Sequence, residues 1–243
     1  MSEVRFEDIP NEVILTISSF LDIKELIQFA QVSSRIRAIC HDESLWKKIN
    51  LYLKTIPTEL IEYILVNGGC KYLSLWSADM VGDLNLNQRT SLKYLDLNFC
   101  GGNGDVFTNL ISACDSLEKL SLKNATLNKE MINAISKNGK TLQVLNLEGC
   151  RGFISKEKPR LSGSRTWNTW GLSNEVVAGM REPIQPIIQE CTELVEFNLG
   201  STGLSEFAIN YLSENLKPKI QRLSLSELEF VCDNHITSIL RLV

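Results

Sequence analysis

One spaced pattern returns along most of this chain. Leu92, Leu95 and Leu97 spell L-x-x-L-x-L, and the same spacing recurs at Leu117, Leu120 and Leu122 and at Leu142, Leu145 and Leu147. Looser copies stand at Leu194, Phe197 and Leu199 and at Ile220, Leu223 and Leu225, with a partial copy at Cys70, Leu73 and Leu75. Successive first positions from Leu92 onward are 25, 25, 52 and 26 residues apart, the long step being two periods. The last two leucines of each copy alternate, so on a short strand both point to one face. One such unit cannot bury its apolar face alone, and only a stack of neighbours does so.

This spacing and length are those of the long leucine-rich repeat. The expected fold class is α/β: a curved solenoid with parallel strands inside and return helices outside. Between strands there is room for such helices. Asn128 reads as the N-cap of one, with Met131, Ile132 and Ile135 at helical spacing, and the stretch from Ser205 to Leu212 reads the same way. Residues 70–243 are assigned to the repeats. The polar segment 151–182 breaks the period: either it is a distorted repeat, with Trp167 and Trp170 in leucine slots, or it is an insertion. Pro183 and Pro186 then open a short helix from Ile184 to Glu190. The helices before the repeats cover the first end of the stack, whereas Val243 falls inside an expected helix and no closing cap is read after it. That pattern fits a fragment, a short isoform or a divergent relative.

Composition narrows the class. Hydrophobic residues make up 44% of the 243, too many for a disordered chain. A net charge of −4, from 25 basic and 29 acidic residues, argues against a general nucleic-acid binder. No apolar run approaches the roughly 18 residues of a membrane span, and Met1 to Arg5 carry no signal-peptide pattern. The expected location is therefore the nucleus, the cytoplasm or both. The seven cysteines are odd in number, evenly spread and without C-x-x-C, and only His41 and His235 accompany them, so neither a disulfide framework nor a zinc site is expected. Most read as packing residues. Cys100 and Cys150 follow a strand's final leucine by three residues, the slot that Ala125 and Thr202 hold elsewhere, and Cys114 and Cys191 precede a first leucine by three.

Before Leu51 the apolar spacing is helical, at Val13, Ile14, Ile17, Phe20 and Leu21. Asp22 and Glu25 have the spacing of a capping box, Ser33 or Ser34 suits the start of a third helix, and Asp42 opens another turn. Ile9-Pro10-Asn11-Glu12, Ile14-Leu15, Ile17, Phe20-Leu21, Leu26, Val32-Ser33 and Leu45-Trp46 together resemble an F-box, with Ile36 where that family usually carries an aromatic residue. On this reading residues 3–50 are the F-box and residues 51–69 a linker helix that caps the solenoid.

The resemblance to F-box/leucine-rich-repeat proteins implies a substrate receptor of an SCF ubiquitin ligase. The F-box would dock the SCF adaptor subunit, and through it the cullin and RING subunits, with Ile9, Pro10, Val32, Leu45 and Trp46 in apolar contact and Glu12 beside them. The repeats would hold a protein substrate. Members with the most similar repeats take a phosphorylated cell-cycle protein together with a small cyclin-kinase regulatory subunit, which makes both expected partners. From the strand pattern itself, the residues between the leucines face the open side of the sheet: Tyr72, Trp76, Tyr94, Asp96, Asn98, Lys119, Lys123 and Asn146 are the candidate substrate contacts. Lys119 and Lys123 suit an acidic or phosphorylated segment.

No nucleotide-binding, serine-hydrolase or zinc-peptidase motif occurs, and Gly101-Gly102-Asn103-Gly104 reads as a strand-to-helix turn. No enzyme activity, metal, cofactor, nucleic acid or membrane is expected. Two other readings stand beside the receptor. One is a leucine-rich-repeat interaction scaffold whose helical cap keeps Trp46 inside. The other is a small-molecule sensor or enzyme, which would need a deep polar pocket in the repeats.

Overall fold

The computed structural model describes residues 6–52, 54–152 and 184–242. After one helical turn at Phe6–Asp8 come four short helices: α1 (Asn11–Ser18), α2 (Ile23–Phe29), α3 (Ser34–Cys40) and α4 (Glu43–Trp46). Their starts follow the local chemistry. The Asp22 carboxylate accepts from the Glu25 amide while the Glu25 carboxylate accepts from the Asp22 amide, both at 2.9 Å, which closes the capping box. Ser33 caps α3 through the Ile36 amide, and Asp42 caps α4 through the Ser44 amide. Ile14, Leu26, Ile36, Cys40 and Trp46 are buried together as the core of this module. Ile36 fills its aromatic-type position with less than 2% of its surface exposed.

The remaining chain alternates short strands and returns. It runs β1 (Lys48–Asn50), β2 (Thr55–Pro57), α5 (Thr58–Val66), β3 (Tyr72–Ser74), β4 (Asp79–Val81) and β5 (Tyr94–Asp96). It continues through α6 (Gly104–Ser112), β6 (Lys119–Ser121), α7 (Lys129–Lys137), β7 (Val144–Asn146), α8 (Gln185–Glu190) and β8 (Glu196–Asn198). It closes with α9 (Glu206–Asn215), β9 (Arg222–Ser224) and α10 (Asp233–Leu242). Seven strands form one parallel sheet in the order β1-β3-β5-β6-β7-β8-β9, and β2 pairs with β4 in a second, two-stranded parallel sheet. The register is uniform: Ile49, Leu73, Leu95, Leu120, Leu145, Phe197 and Leu223 lie side by side. All of these but Leu223 are buried, as are the first-position residues Cys70, Leu92, Leu117, Leu142, Leu194 and Ile220. Leu223 and Leu225, on the last strand described, are only partly covered.

Six of the seven strands, β3 and β5 to β9, leave the sheet through a residue with positive φ: Ser77, Phe99, Asn124, Gly149, Ser201 and Glu227. Five of the six are not glycine, and all of these but Asn124, a residue type that tolerates this region, carry the left-handed backbone against their own preference. The amides of Ser77, Phe99, Asn124, Gly149 and Ser201 continue the ladder by donating to the next repeat. At Gly149 the glycine adopts this backbone without strain, and a Cβ there would make the Asn124 side chain move, its Oδ1 lying 2.4 Å away. Helices α6, α7 and α9 begin with Asn103, Asn128 and Ser205 as caps and bury one stripe each, such as Met131, Ile132 and Ile135 on α7.

Two expectations need correction. The sheet begins at β1, inside the segment assigned to the F-box, and residues 51–69 carry β2 as well as the expected helix, α5. Trp46, Ile49 and Leu51 are the first repeat's three apolar positions, all buried. Because the first of them is an aromatic residue, the leucine pattern hid it. Second, the return between β4 and β5 has no helix: only 22 residues separate the aligned Tyr72 and Tyr94. Residues 82–91 carry neither helix nor named strand and are tied down where Asn109 Nδ2 donates to the Leu84 carbonyl, Arg89 to the Ser112 carbonyl and the Asn85 amide to Glu62. Leu145 and Phe197 are direct neighbours across β7 and β8. The segment 151–182, expected as a distorted repeat or an insertion, lies from residue 153 onward outside the described part of the chain.

Candidate functional site

Two surfaces stand out, one on the helical module and one on the open face of the sheet.

On the module, the Arg35 guanidinium donates to the Ile9 carbonyl and, at 2.9 and 2.7 Å, to Asn11 Oδ1. This clamp from α3 sets the Ile9–Pro10–Asn11 approach to α1, a role that nothing in the apolar spacing disclosed. Pro10 and Glu12 are exposed, Ile9 and Leu45 are half-buried against the module core, and Val32 is 67% exposed. Val13 and Ile17 share one side of α1, beside the Ile14/Ser18 stripe that faces inward, and Phe20 follows with 83% of its surface in solvent. Isolated exposed apolar residues are ordinary; Val13, Ile17 and Phe20, four and three residues apart, form a row of the kind a partner covers. Sequence reading took Val13 as evidence of helix and Ile17 and Phe20 as part of the F-box pattern, but named none of the three as a partner contact, because spacing alone does not distinguish a stripe facing the core from its neighbour.

Trp46 is not part of that surface. It is 2% exposed. Its indole N–H donates to the Cys40 carbonyl at 2.7 Å, its ring meets Tyr63 edge-on, and Gly68 packs so closely that an added Cβ would lie 2.9 Å from Trp46 Cβ. The expected surface contact is instead the joint between the helical module and the first repeat.

On the sheet, one row of register partners reads Lys48, Tyr72, Tyr94, Lys119, Val144, Glu196 and Arg222, and the next reads Asn50, Ser74, Asp96, Ser121, Asn146, Asn198 and Ser224. The rings of Tyr72 and Tyr94 lie 6.3 Å apart. Partial burial pushes the Tyr94 phenol up, helped by the nearby Asp96. Trp76 meets Phe99 in a T-shaped contact at 6.0 Å. Phe99, a half-exposed aromatic on a left-handed backbone, and Lys48, on the unrecognised first strand, were both missed by sequence reading. Lys48, Asn50, Tyr72, Ser74, Lys93, Tyr94, Glu118 and Lys119 line an open depression of about 480 Å³.

The polar residues divide between wiring and surface. Asp96 accepts from Ser74 Oγ and from the Asn98 amide, Asn98 Oδ1 accepts from Ser121 Oγ and the Lys123 amide, and Asn146 Oδ1 accepts from the Glu148 amide. These side chains hold strand ends in place. Lys123 pairs with Glu148 at 2.8 Å, which corrects the expectation that it offers a spare positive charge. Lys93 pairs likewise with Glu118, whose carboxylate raises the lysine pKa. Lys119 is exposed. Among the described residues no group of His, Cys, Asp and Glu is suited to a metal ion.

Compared with known families, residues 6–52 match the F-box-like family. The match spans the four-helix module and ends just beyond β1, so the N-terminal part of this chain is an F-box-like domain fused directly to a parallel sheet.

Proposed function

We propose that this chain is the substrate-recognition subunit of an SCF-type ubiquitin ligase, with the F-box-like domain docking the adaptor subunit and the sheet binding a protein substrate. The observation that carries the reading is the F-box-like match over residues 6–52, together with the exposed Val13, Ile17, Phe20 and Val32 on the same module. The repeating strands support the leucine-rich-repeat assignment; the likeness to S-phase kinase-associated protein 2 rests on sequence alone, on Asp42–Trp46 and on Leu117–Leu122 through Leu145–Phe153 within Asp8 to Phe153. The receptor transfers nothing itself; it holds the substrate and the ubiquitin-loaded enzyme on one frame and so raises their effective concentration. The Tyr72/Tyr94 and Trp76/Phe99 pairs form the substrate platform, in the nucleus or the cytoplasm. A phosphorylated cell-cycle substrate and a cyclin-kinase regulatory subunit remain part of the proposal through that likeness alone.

The test is adaptor capture. Purified chain should co-purify with the SCF adaptor subunit, and exposed-site variants Phe20→Glu and Val32→Glu should lose it while staying folded. Failure of the intact folded protein to bind would end the proposal. The burial of Trp46 favours a second reading, a leucine-rich-repeat scaffold whose helices only cap the stack; that reading expects no adaptor capture and no effect of either variant on any partner.

A further inference from the structure

Across the first four strands of the large sheet, β1, β3, β5 and β6, one row of register partners reads Lys48, Tyr72, Tyr94 and Lys119. Two neighbouring rings, 6.3 Å apart, thus stand between two lysines. Both lysines are exposed, and among the described residues neither ammonium group has a hydrogen-bond or ion-pair partner. The other charges beside the row are engaged. Lys93 pairs with Glu118 at 2.6 Å, and Asp96, on the next row, accepts from Ser74 Oγ and the Asn98 amide. Just ahead of the strands stand Lys47 and Lys71, joined through backbone hydrogen bonds to the line that holds Lys93 and Glu118. This end of the sheet is therefore positive on a chain whose net charge is −4.

The spacing of the row says what fits it. Neighbouring strands lie about 4.8 Å apart, so Lys48 and Lys119, three strand steps from each other, have Cα atoms about 14 Å apart. An extended peptide advances about 3.4 Å per residue and covers that span in about four residues. Its side chains alternate, so residues i, i+2 and i+4 face the sheet together. The outer two then meet the lysines, and the middle one meets the tyrosine rings. Strands β3 and β5 are already paired on both sides, so such a peptide is held by side chains and not as an added strand. The two ammonium groups stand at opposite ends of the row rather than converging, which suits two separate carboxylates better than one phosphate.

We propose that this row binds an extended, unphosphorylated segment of a protein substrate in which two acidic residues, at i and i+4, flank an apolar residue at i+2. The inference deepens the reading of the open face as a substrate platform and rests on it. Each carboxylate pairs with one lysine, and the middle side chain covers the rings of Tyr72 and Tyr94. Exposed ion pairs contribute little singly. Here the two pairs select the spacing and sign of the segment, and the aromatic contact supplies most of the binding. Salt screens the selection and leaves the aromatic contact.

The experiment titrates the full chain into a fluorescein-labelled peptide, Gly-Ser-Asp-Gly-Phe-Gly-Asp-Ser-Gly, and reads fluorescence polarisation. Three comparison peptides have the two Asp placed side by side, both Asp replaced by Lys, or both replaced by Ser with one phosphoserine added. The first peptide should bind at least about fivefold more tightly than any of these. Lys48→Glu and Lys119→Glu, at exposed positions, should each weaken it by about fivefold, and a peptide with one Asp changed to Lys should bind each variant better than it binds the parent. Equal or tighter binding of a comparison peptide, no binding of any, or affinities unmoved by both reversals overturns the proposal; the peptide series needs no change to the protein. Adaptor capture by the same preparation separates the two readings. A chain that captures the adaptor and ignores the peptides defeats this inference alone, whereas one that binds the first peptide but no adaptor defeats the ligase reading and leaves the peptide site to a repeat scaffold.

Discussion

The Trp46 ring packs edge-on against Tyr63, with ring centroids 5.4 Å apart and planes at 72°. One ring closes the helical module and the other lies on α5, the first return of the repeats. The same tryptophan is therefore the last core residue of the F-box-like domain and the first apolar position of the stack. A helical unit of this size is near the lower limit for folding alone. The shared side chain gives it a second core to lean on.

Trp46→Ala should accordingly cost about 3–5 kcal/mol of stability, the usual range for emptying a large buried aromatic site. Gly68→Ala should destabilise in the same direction, because its new methyl group meets the Ile64 carbonyl and Trp46 Cβ. Urea denaturation followed by tryptophan fluorescence and circular dichroism measures both. A Trp46→Ala protein as stable as the parent would refute the joint.

The exposed row on the module should behave in the opposite way. Phe20→Glu and Val32→Glu should leave the denaturation midpoint within about 0.5 kcal/mol of the parent and weaken adaptor binding by at least about tenfold, roughly 1.4 kcal/mol. Titration calorimetry against the purified adaptor reads the second effect.

On the sheet, Trp76→Ala and Phe99→Ala remove one aromatic pair from the open face. Each should reduce substrate capture by about tenfold or more, the size expected when a contact aromatic is lost, without changing adaptor binding. Lys123→Ala should do little to substrate binding, because its charge is already paired with Glu148. Quantitative affinity purification, with adaptor recovery as the internal control, compares the three.

The buried thiols set an alkaline limit. Five have folded-state pKa values of about 11 or 12, against 9.0 in an exposed chain. A raised thiol pKa means that only the unfolded chain ionises as the pH first passes 9. The stability they contribute is whole below pH 9 and declines from there toward pH 11–12. Thermal unfolding should show a falling midpoint over that range, steeper than in a variant with Cys150→Ala and Cys191→Ala.

The capping of α2, α3 and α7 was legible in the residues, because a cap depends on a side chain and an amide two or three positions away. The strands β5 to β9 were equally legible, since alternating leucines at a steady period leave one consistent face to bury. The first strand was not. Lys48-Ile49-Asn50 carries the pattern only if Trp46 counts as its first position, and a tryptophan that ends one module while opening another reads as belonging to the first. The exposed aromatics on the sheet were found at Tyr72, Trp76 and Tyr94, where strand alternation assigns a side. Phe99 was not found, because a left-handed corner follows no such alternation.

Periodicity and local capping are short-range physics, and the sequence by itself determined them: where strands and helices start, which residues face inward, and that the stack is parallel. What lies between distant residues was decided by the tertiary structure. It placed Trp46 inside, paired Lys123 with Glu148, set β7 directly against β8 across a 52-residue step, and brought Lys48 into one row with Tyr72, Tyr94 and Lys119. Burial and charge pairing depend on which surfaces meet in space, and a repeat pattern does not carry that information.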